Sequence, residues 1–497
     1  MICVTVARGR HRMAQAEHQM LAEQKIPLTE LRVDFITRDV DVARLLRDRP
    51  TPVLVTCRRP QDGGRWRYSE QQRLTLLRTA IAQGAEYVDL EWDVALQVPR
   101  YGATKRVVSY HNFQETPANL PAIWEKMRAL DPDVIKIATM ANAPEDNWVT
   151  LGITKNADIP TVAFCMGDMG TPSRILCGKF GAPFTFASIS SEKQLAPGQI
   201  SFDVMRNTYH YDDIKPSTKI LGVIADPVAH SMSPVIHNAC LRKDGLDVVY
   251  LPFRVPSEGL DAFIQQAGKF DVLGLSVTIP HKERILRCVN DIDNDVSAVK
   301  ACNTVLFRKN LREGKNTDIS AAIQVLRRAC EVPADQTLGF QGRKALILGG
   351  GGVAKAIAWG LQKQGARVFI SARNRQQADV IAADLKIDSL EWETRQNFTG
   401  DLLINGTPVG MFPNMNETPF PAEALREGMV VFDTIYNPQN TLLIKQAKAA
   451  GCRLVYGSDM FIEQAAMQYK YFTGRTADKA VMAEALRRAI NPAKYAD

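Results

Sequence analysis

The sequence has no run of about 18 apolar residues, the length a helix needs to cross a bilayer. It has no Cys-x-x-Cys pair, and its nine cysteines are an odd number, so neither a zinc ribbon nor a disulfide framework is expected. It also lacks any sustained block of Lys or Arg. The formal charge is +7 over 497 residues, with positive side chains spread among negative ones, which does not call for a nucleic-acid partner. Scattered arginines suit small anionic ligands equally well. The chain opens on Ile2-Cys3-Val4-Thr5-Val6, which reads as a strand and not as the longer apolar core of a secretory signal. Cys57 and Cys165 lie inside apolar runs, as buried thiols of a reducing compartment do. The expectation is a soluble cytoplasmic protein with no metal site.

What is present is ordinary globular composition, 45% hydrophobic and 23% charged, which excludes a mainly disordered chain, a collagen or a coiled coil. At roughly 150 residues per domain the length suggests about three domains. Short apolar runs at 2–7, 28–34, 52–57, 87–92, 106–110, 134–138, 161–165 and 184–187 predict strands. Amphipathic stretches such as 8–24, 69–83, 118–130 and 148–156 lie between them. Strand–helix alternation implies a parallel sheet, and about eight units in ~200 residues is the arithmetic of a (β/α)8 barrel. An open flavodoxin-like sheet is the alternative, with fewer strands.

Chemistry in such a barrel sits at the C-terminal strand ends. Those positions carry Glu30, Arg32, Asp34, Arg58, His111, Lys136 and Arg174. Lys136 interrupts the apolar run Val134-Ile135-Lys136-Ile137-Ala138. Burial disfavours its charged form, and a neutral amine can attack a carbonyl to form a Schiff base. The alternative is a lysine that snorkels at a strand end. His111, expected just after its strand and one strand away, could move protons beside such an imine, or could simply be a hydrogen-bonded loop histidine.

The hydrophobic pattern weakens over 207–219, the expected linker, before a new strand at 220–225 and a helix starting near Pro234. Further on, a strand at 345–348 runs into Gly349-Gly350-Gly351-Gly352-Val353-Ala354 and a helix at 355–364. This is G-x-G-x-x-A in a strand–turn–helix setting, whose backbone amides can hold a pyrophosphate. The strand at 367–371 ends not on an acid but on Ala372-Arg373-Asn374-Arg375, which favours a 2′-phosphate and hence NADP(H) over two solvated turn arginines. Lys282, just after a strand, and Asp318, expected in a polar loop, could donate and recover a proton at a carbinol oxygen, or form a surface ion pair.

The set Glu30-Leu-Arg32-Val-Asp34, Ser109-Tyr-His111-Asn-Phe, Ile135-Lys136-Ile, Ser173-Arg174 and Ala196-Pro-Gly-Gln199 resembles type I 3-dehydroquinate dehydratase over about residues 1–205. The resemblance implies that Lys136 forms the Schiff base, that His111 is general base and acid, and that Arg174 clamps the substrate carboxylate. By the same resemblance Glu30, Arg32, Arg58, Asp62 and Gln199 contact the substrate or orient the acid–base group. Asp62 stands where that family usually has Glu, and Leu195 where it often has Ser or Thr.

His230-Ser231-Met-Ser233-Pro, Val277-Thr278-Ile-Pro-His-Lys282, Asn303-Thr and Asn316-Thr-Asp318 resemble shikimate dehydrogenase over about residues 219–495. That implies a catalytic Lys282–Asp318 pair. Ser231, Ser233, Thr278, Asn303, Tyr436 and Gln464 would then meet the substrate, and Thr407, Gly410 and Met411 the nicotinamide end. Ser276 stands where many members have Asn. Together the halves resemble the fused dehydroquinate dehydratase–shikimate dehydrogenases. They imply a barrel at 1–206, a substrate domain at 219–325 with helices at 458–491 returning to it, and an NADP-binding Rossmann domain at 335–457. The expected ligands are 3-dehydroquinate, 3-dehydroshikimate and shikimate, without nucleic acid or membrane, in a monomer or weak homodimer. Quinate as substrate of the second half, or a degenerate pathway-metabolite sensor, are the alternatives.

Overall fold

The computed structural model describes residues 1–309 and 311–491. By internal contacts the chain divides into two compact units. One comprises Met1–Ile220, Pro227–His230 and Asp247–Gln266; the other comprises Leu221–Asp226, Ser231–Leu246 and Ala267–Asp497. Among the described residues no helix is long and apolar enough to cross a membrane.

Eight strands form the first unit's sheet: β1 (Ile2–Val6), β2 (Leu28–Arg32), β3 (Val53–Thr56), β4 (Tyr87–Glu91), β5 (Lys105–Asn112), β6 (Val134–Met140), β7 (Thr161–Met166) and β8 (Thr185–Ser188). Hydrogen-bonded neighbours run in the order β7-β6-β5-β4-β3-β2-β1-β8, all parallel. The barrel is nearly closed. Its one open seam lies between β7 and β8, where the rings of Phe164 and Phe186 face each other with centroids 6.1 Å apart.

Side chains two apart on a strand share a face, and this alternation builds the interior in layers. The lower inward layer is apolar: Cys3, Leu28, Leu54, Val107, Val134, Val162 and Phe184 belong to one buried cluster. The next inward position on several of these strands is polar and equally buried: Thr5, Glu30, Thr56, Asp89, Ser109 and Lys136. The packed floor therefore ends in a polar layer at the C-terminal mouth.

The next sheet holds β9 (Lys219–Ala225), β10 (Val248–Arg254), β11 (Val272–Val277), β12 (Asp291–Ile292), β13 (Thr304–Arg308) and β14 (Leu311–Lys315), in the order β10-β9-β11-β13-β14-β12. The last sheet is parallel throughout. Its strands β15 (Lys344–Leu348), β16 (Arg367–Ser371), β17 (Asp388–Ser389), β18 (Leu402–Asn405), β19 (Val430–Asp433) and β20 (Arg453–Tyr456) are ordered β17-β16-β15-β18-β19-β20. The order reverses between β15 and β18, the crevice where open α/β sheets bind ligands. Helices Gly457–Thr473 and Lys479–Ile490 pack on helix Ser233–Lys243: the Tyr469 hydroxyl donates to Asp244 at 2.6 Å, and Lys243 pairs with Asp478.

Three local expectations differ from the structure. His111 lies within β5 instead of after it, because the strand continues to Asn112 in register with β6. Asp318 lies in the first turn of helix Thr317–Ala329, where the Asn316 side chain caps the helix by accepting from the Asp318 amide, and not in a loop. The 207–219 stretch, which lies at the end of the first unit's main segment, is more ordered than its polar composition suggests. Tyr209 and Tyr211 in it are buried, and residues 211–213 form a 3-10 turn, so aromatic burial outweighs the polar composition.

Candidate active sites

Lys136 is enclosed in the barrel, its Nζ 3.2 Å from Asp89 Oδ2, 3.9 Å from Glu30 Oε1 and 4.1 Å from the centroid of the Phe186 ring. Register places Ser109 of β5 opposite Lys136 on one side and Glu91 of β4 on the other. Asp89 is the hub. One oxygen accepts from Ser109 Oγ at 2.6 Å, while the other takes both Lys136 and Arg58 Nη2, the latter at 2.6 Å. Arg58 Nη1 lies 2.7 Å from His111 Nδ1, so the histidine is tied to the lysine through Arg58 and Asp89.

Burial and the charge of Arg58 lower the Lys136 basicity, against the opposing pull of Asp89 and Glu30. Burial, then Arg58, then Lys136 hold His111 well below the ordinary histidine range. Arg58 and Lys136 overcome burial at Asp89 and keep it ionised. Glu30 accepts from Thr5 at 2.8 Å and Thr56 at 2.9 Å, while Arg32 forms a two-pronged pair with Asp34 at 2.9 and 2.8 Å. Such an array places a lysine of lowered basicity near an imidazole held toward its neutral form, with hydroxyl-binding carboxylates and arginines around them.

Arg174, unlike the buried Arg32, Arg58 and Arg73, has no carboxylate partner among the described residues. It is 1% exposed and lies over the Phe164 ring at 4.5 Å. Its one side-chain hydrogen bond among the described residues runs to Pro197 O at 3.2 Å, and its Nε has no partner. Burial pushes it down to about 10, with no carboxylate to oppose that. An enclosed guanidinium without an acid is suited to an incoming carboxylate. The Ala196–Gln199 turn beside it is pinned by Gly167 N donating to Pro197 O at 3.0 Å. Gly198 adopts φ +68°, and a Cβ there would meet Gly167 O at 2.3 Å, so only glycine fits. Gln199 accepts from the Leu195 amide at 2.9 Å, which occupies its carbonyl oxygen. Asp62 does not reach His111 or Arg58. On the 3-10 turn Pro60–Asp62 its short carboxylate folds back to Arg59 at 2.7 Å.

In the second unit, Lys282 Nζ donates to Asp318 Oδ2 at 2.5 Å, and Asn303 Nδ2 donates to Asp318 Oδ1 at 2.9 Å. Asn303 Oδ1 in turn accepts from Thr317 N and Thr304 Oγ1, each at 2.8 Å. Partly buried Thr278 follows β11, and Ser233 opens its helix with Ser231 two residues before it. Tyr436 stacks on Phe461 at 4.4 Å and bonds to the Met232 backbone, which brings it to that serine turn. Gln464 is buried and donates to Phe461 O at 2.9 Å. The Ser276 hydroxyl donates to Gln468 Oε1 at 2.7 Å, and Gln468 reaches Asn303 O at 2.9 Å and Thr304 Oγ1 at 3.0 Å.

The glycine turn meets the test for a dinucleotide. Gly349 has φ +116°, and a Cβ there would strike Gly406 O at 2.8 Å. Gly351 N-caps helix Gly352–Lys363 with no side-chain cap, which leaves first-turn amides for a phosphate. A Cβ on Gly352 would sit 3.4 Å from the Lys282 stem, so the helix start adjoins the Lys282–Asp318 pair. Val353 and Ala354 face the apolar core, and Gly350 O accepts from Gln377 Nε2 at 2.8 Å. Asn405 Oδ1 accepts from Thr407 N and Oγ1 at 2.9 and 2.7 Å and so shapes the turn into Gly410, which has φ +105°, while Met411 is exposed.

The two arginines of the adjoining turn are not equivalent. Arg373 is exposed and makes no ion pair among the described residues. Arg375 is committed to Asp379 at 2.9 Å and Glu391 at 3.2 Å, and Asn374 caps the following helix.

Residues 2–216 match the Type I 3-dehydroquinase family, 223–305 the shikimate dehydrogenase substrate binding domain, and 457–487 the shikimate 5'-dehydrogenase C-terminal domain. The bifunctional 3-dehydroquinate dehydratase/shikimate dehydrogenase, chloroplastic, of Arabidopsis thaliana is 33% identical over 502 residues, covering 96% of this chain and 83% of that one. The chain belongs to the bifunctional dehydroquinate dehydratase/shikimate dehydrogenase family. It thus joins a lyase and an oxidoreductase of the shikimate pathway.

The shikimate dehydrogenase (NADP(+)) of Methanopyrus kandleri is 37% identical over 288 residues, 55% of this chain and 96% of that one. A shikimate dehydrogenase solved with NADP+ aligns with TM-score 0.52 and 34% identity over 56% of this chain and 97% of that one. The Thermus thermophilus enzyme solved with NADP(H) and shikimate gives TM-score 0.50 and 30% identity over 55% and 100%.

Sequence reasoning missed Asp89, Gln468, Asn405 and Asp433. Asp89 carried the same signal that singled out Lys136, a charge interrupting an apolar strand.

Proposed function

We propose that the chain converts 3-dehydroquinate to 3-dehydroshikimate through an imine on Lys136, then reduces that product to shikimate with NADPH. The observation that carries the reading is the buried Lys136, held by Asp89 in a network that reaches His111. The Lys136 amine adds to the substrate ketone and water leaves, giving an iminium that draws electrons from the neighbouring C–H bond. His111 takes that proton and returns it to the departing hydroxyl, which leaves as water. Hydrolysis of the imine then frees the lysine. Arg174 holds the substrate carboxylate, and Glu30, Arg32, Arg58 and Gln199 surround its hydroxyls. Borohydride added with dehydroquinate should fix a reduced adduct on the peptide carrying Lys136; an adduct elsewhere, or none, would sink the imine mechanism.

Bound NADPH supplies the hydride for the second reaction. Lys282, oriented by Asp318, donates the proton to the developing alkoxide. Ser231 and Ser233 bind the carboxylate, while Thr278, Asn303, Tyr436 and Gln464 hold the ring hydroxyls. The contact between Lys282 and Asp318 supports an enzyme over a degenerate sensor. Arg373 is our ligand for the 2′-phosphate. Arg373→Ser should raise the NADPH KM by about tenfold or more, with little change for NADH, and Arg375→Ser should do much less. Equal effects of the two substitutions would refute this division.

His111 in the free protein should titrate below the ordinary value near 6.5, because burial and then the neighbouring Arg58, Lys136 and Arg32 oppose its protonation. Histidine-selective NMR can read this from the resonance absent in His111→Ala. A midpoint at or above 6.5 would contradict the arrangement.

We also place the domain limits at 1–206, 219–325 and 335–457. All nine cysteines are free and eight are buried, which supports a reducing compartment, and our reading is cytoplasmic. We expect a monomer or weak homodimer, bound neither to nucleic acid nor to a membrane.

A further inference from the structure

Asp433 ends β19, 0% exposed, at the C-terminal edge of the nucleotide-binding sheet. Three donors converge on it. Asn405 Nδ2 and the Ile435 amide reach Oδ1 at 3.0 and 3.1 Å, and Thr441 Oγ1 reaches Oδ2 at 2.6 Å. Each donor belongs to a different piece of the site. Asn405 ends β18 and shapes the next turn: it accepts from Thr407 and also donates to Val409 O at 3.2 Å. Ile435 precedes Tyr436. Thr441 caps helix Leu442–Ala449, closing the segment that carries Tyr436. One buried carboxylate therefore joins the turn assigned to nicotinamide with the segment assigned to substrate.

We propose that Asp433, as a carboxylate, is a positioning residue that sets these two segments against each other, so that cofactor and substrate meet in register. The inference rests on the assignment of Thr407–Met411 and Tyr436 made above. A carboxylate accepts from all three donors, whereas a carboxylic acid must itself donate, and only the Thr441 hydroxyl can receive that bond, by giving up its own to Asp433. The groups facing Asp433 from β18, from its own loop and from the Thr441 cap are all uncharged. Burial raises the group, the three hydrogen bonds offset part of that rise, and the balance is pushed up to about 6. The sign follows. The aligned form prevails above that pH, and dehydrogenase turnover declines as pH falls through it.

The test uses the full chain, with dehydratase turnover and a thermal melt as controls for folding. Asp433→Asn keeps the shape and removes the charge; Asp433→Ala removes the acceptors. Asp433→Ala should raise the KM of NADPH and of dehydroshikimate together, each by about tenfold, with dehydratase rate unchanged. Asp433→Asn should lose the part of the acid-side fall in kcat centred near pH 6. Unchanged KM values in Asp433→Ala, or the same acid limb in Asp433→Asn, would overturn the proposal. Thr407→Val and Tyr436→Phe separate it from the underlying assignment: if neither changes the KM of its own ligand, the assignment fails whatever Asp433 does.

Discussion

Lys136→Met should reduce dehydratase turnover by at least about 10⁴-fold while dehydrogenase turnover with added 3-dehydroshikimate is unchanged. The chemistry loses its covalent route, because no second amine stands in the polar layer above the barrel floor. The fold, by contrast, should tolerate the change. Removing one partner of a buried ion pair normally costs ~3–5 kcal/mol because a charge is left alone. Here Asp89 keeps Arg58 at 2.6 Å and Ser109 at 2.6 Å, so it is not left alone. The ammonium itself is held against an adverse burial cost, which a methionine of similar length removes. Assays of both activities, with thermal melts, separate the outcomes. A variant that lost both activities together, or melted far below the parent, would show that Lys136 is needed for folding and leave the imine assignment without support.

Lys282→Met should lower dehydrogenase turnover by about 10²–10⁴-fold, the span expected for loss of a positioned proton donor. Asp318→Asn should fall in the same span, and the double variant should be no worse than the more damaging single one, since the pair acts as a unit. The geometry behind this is tight: Lys282 and Asn303 take the two oxygens of Asp318 at 2.5 and 2.9 Å. In Asp318→Asn the amide must present an N–H to Lys282 or to Asn303, so one donor loses its acceptor. Steady-state kinetics with both substrates decides. Losses that multiply in the double variant would make the two residues independent and contradict a shared proton path.

Much of this is legible in the sequence. Charges that interrupt apolar strands marked the barrel mouth because buried charge is costly without a purpose. The glycine turn between strand and helix was equally plain. Asp318 was harder to place: Asn316-Thr317-Asp318 has loop composition, yet the Asn316 side chain caps a helix whose first turn holds Asp318. Partner choice was not legible either. Nothing in the strings says that Asp62 turns to Arg59 and not to His111, or that Asp379 and Glu391 occupy Arg375 and leave Arg373 free. Those outcomes depend on side chains that tertiary packing brings together, as does the meeting of Asp433 with Asn405 from the neighbouring strand.

One chain is proposed to carry out two consecutive reactions at separate sites. This is tested most directly by giving the purified protein 3-dehydroquinate and NADPH, with no other enzyme, and following NADPH absorbance and shikimate together. One NADPH should be oxidised and one shikimate formed per dehydroquinate consumed, with the flux stopped by Lys136→Met and restored by added 3-dehydroshikimate. NADPH oxidation that persists in Lys136→Met with dehydroquinate alone, or dehydroquinate consumed without shikimate appearing, would contradict this.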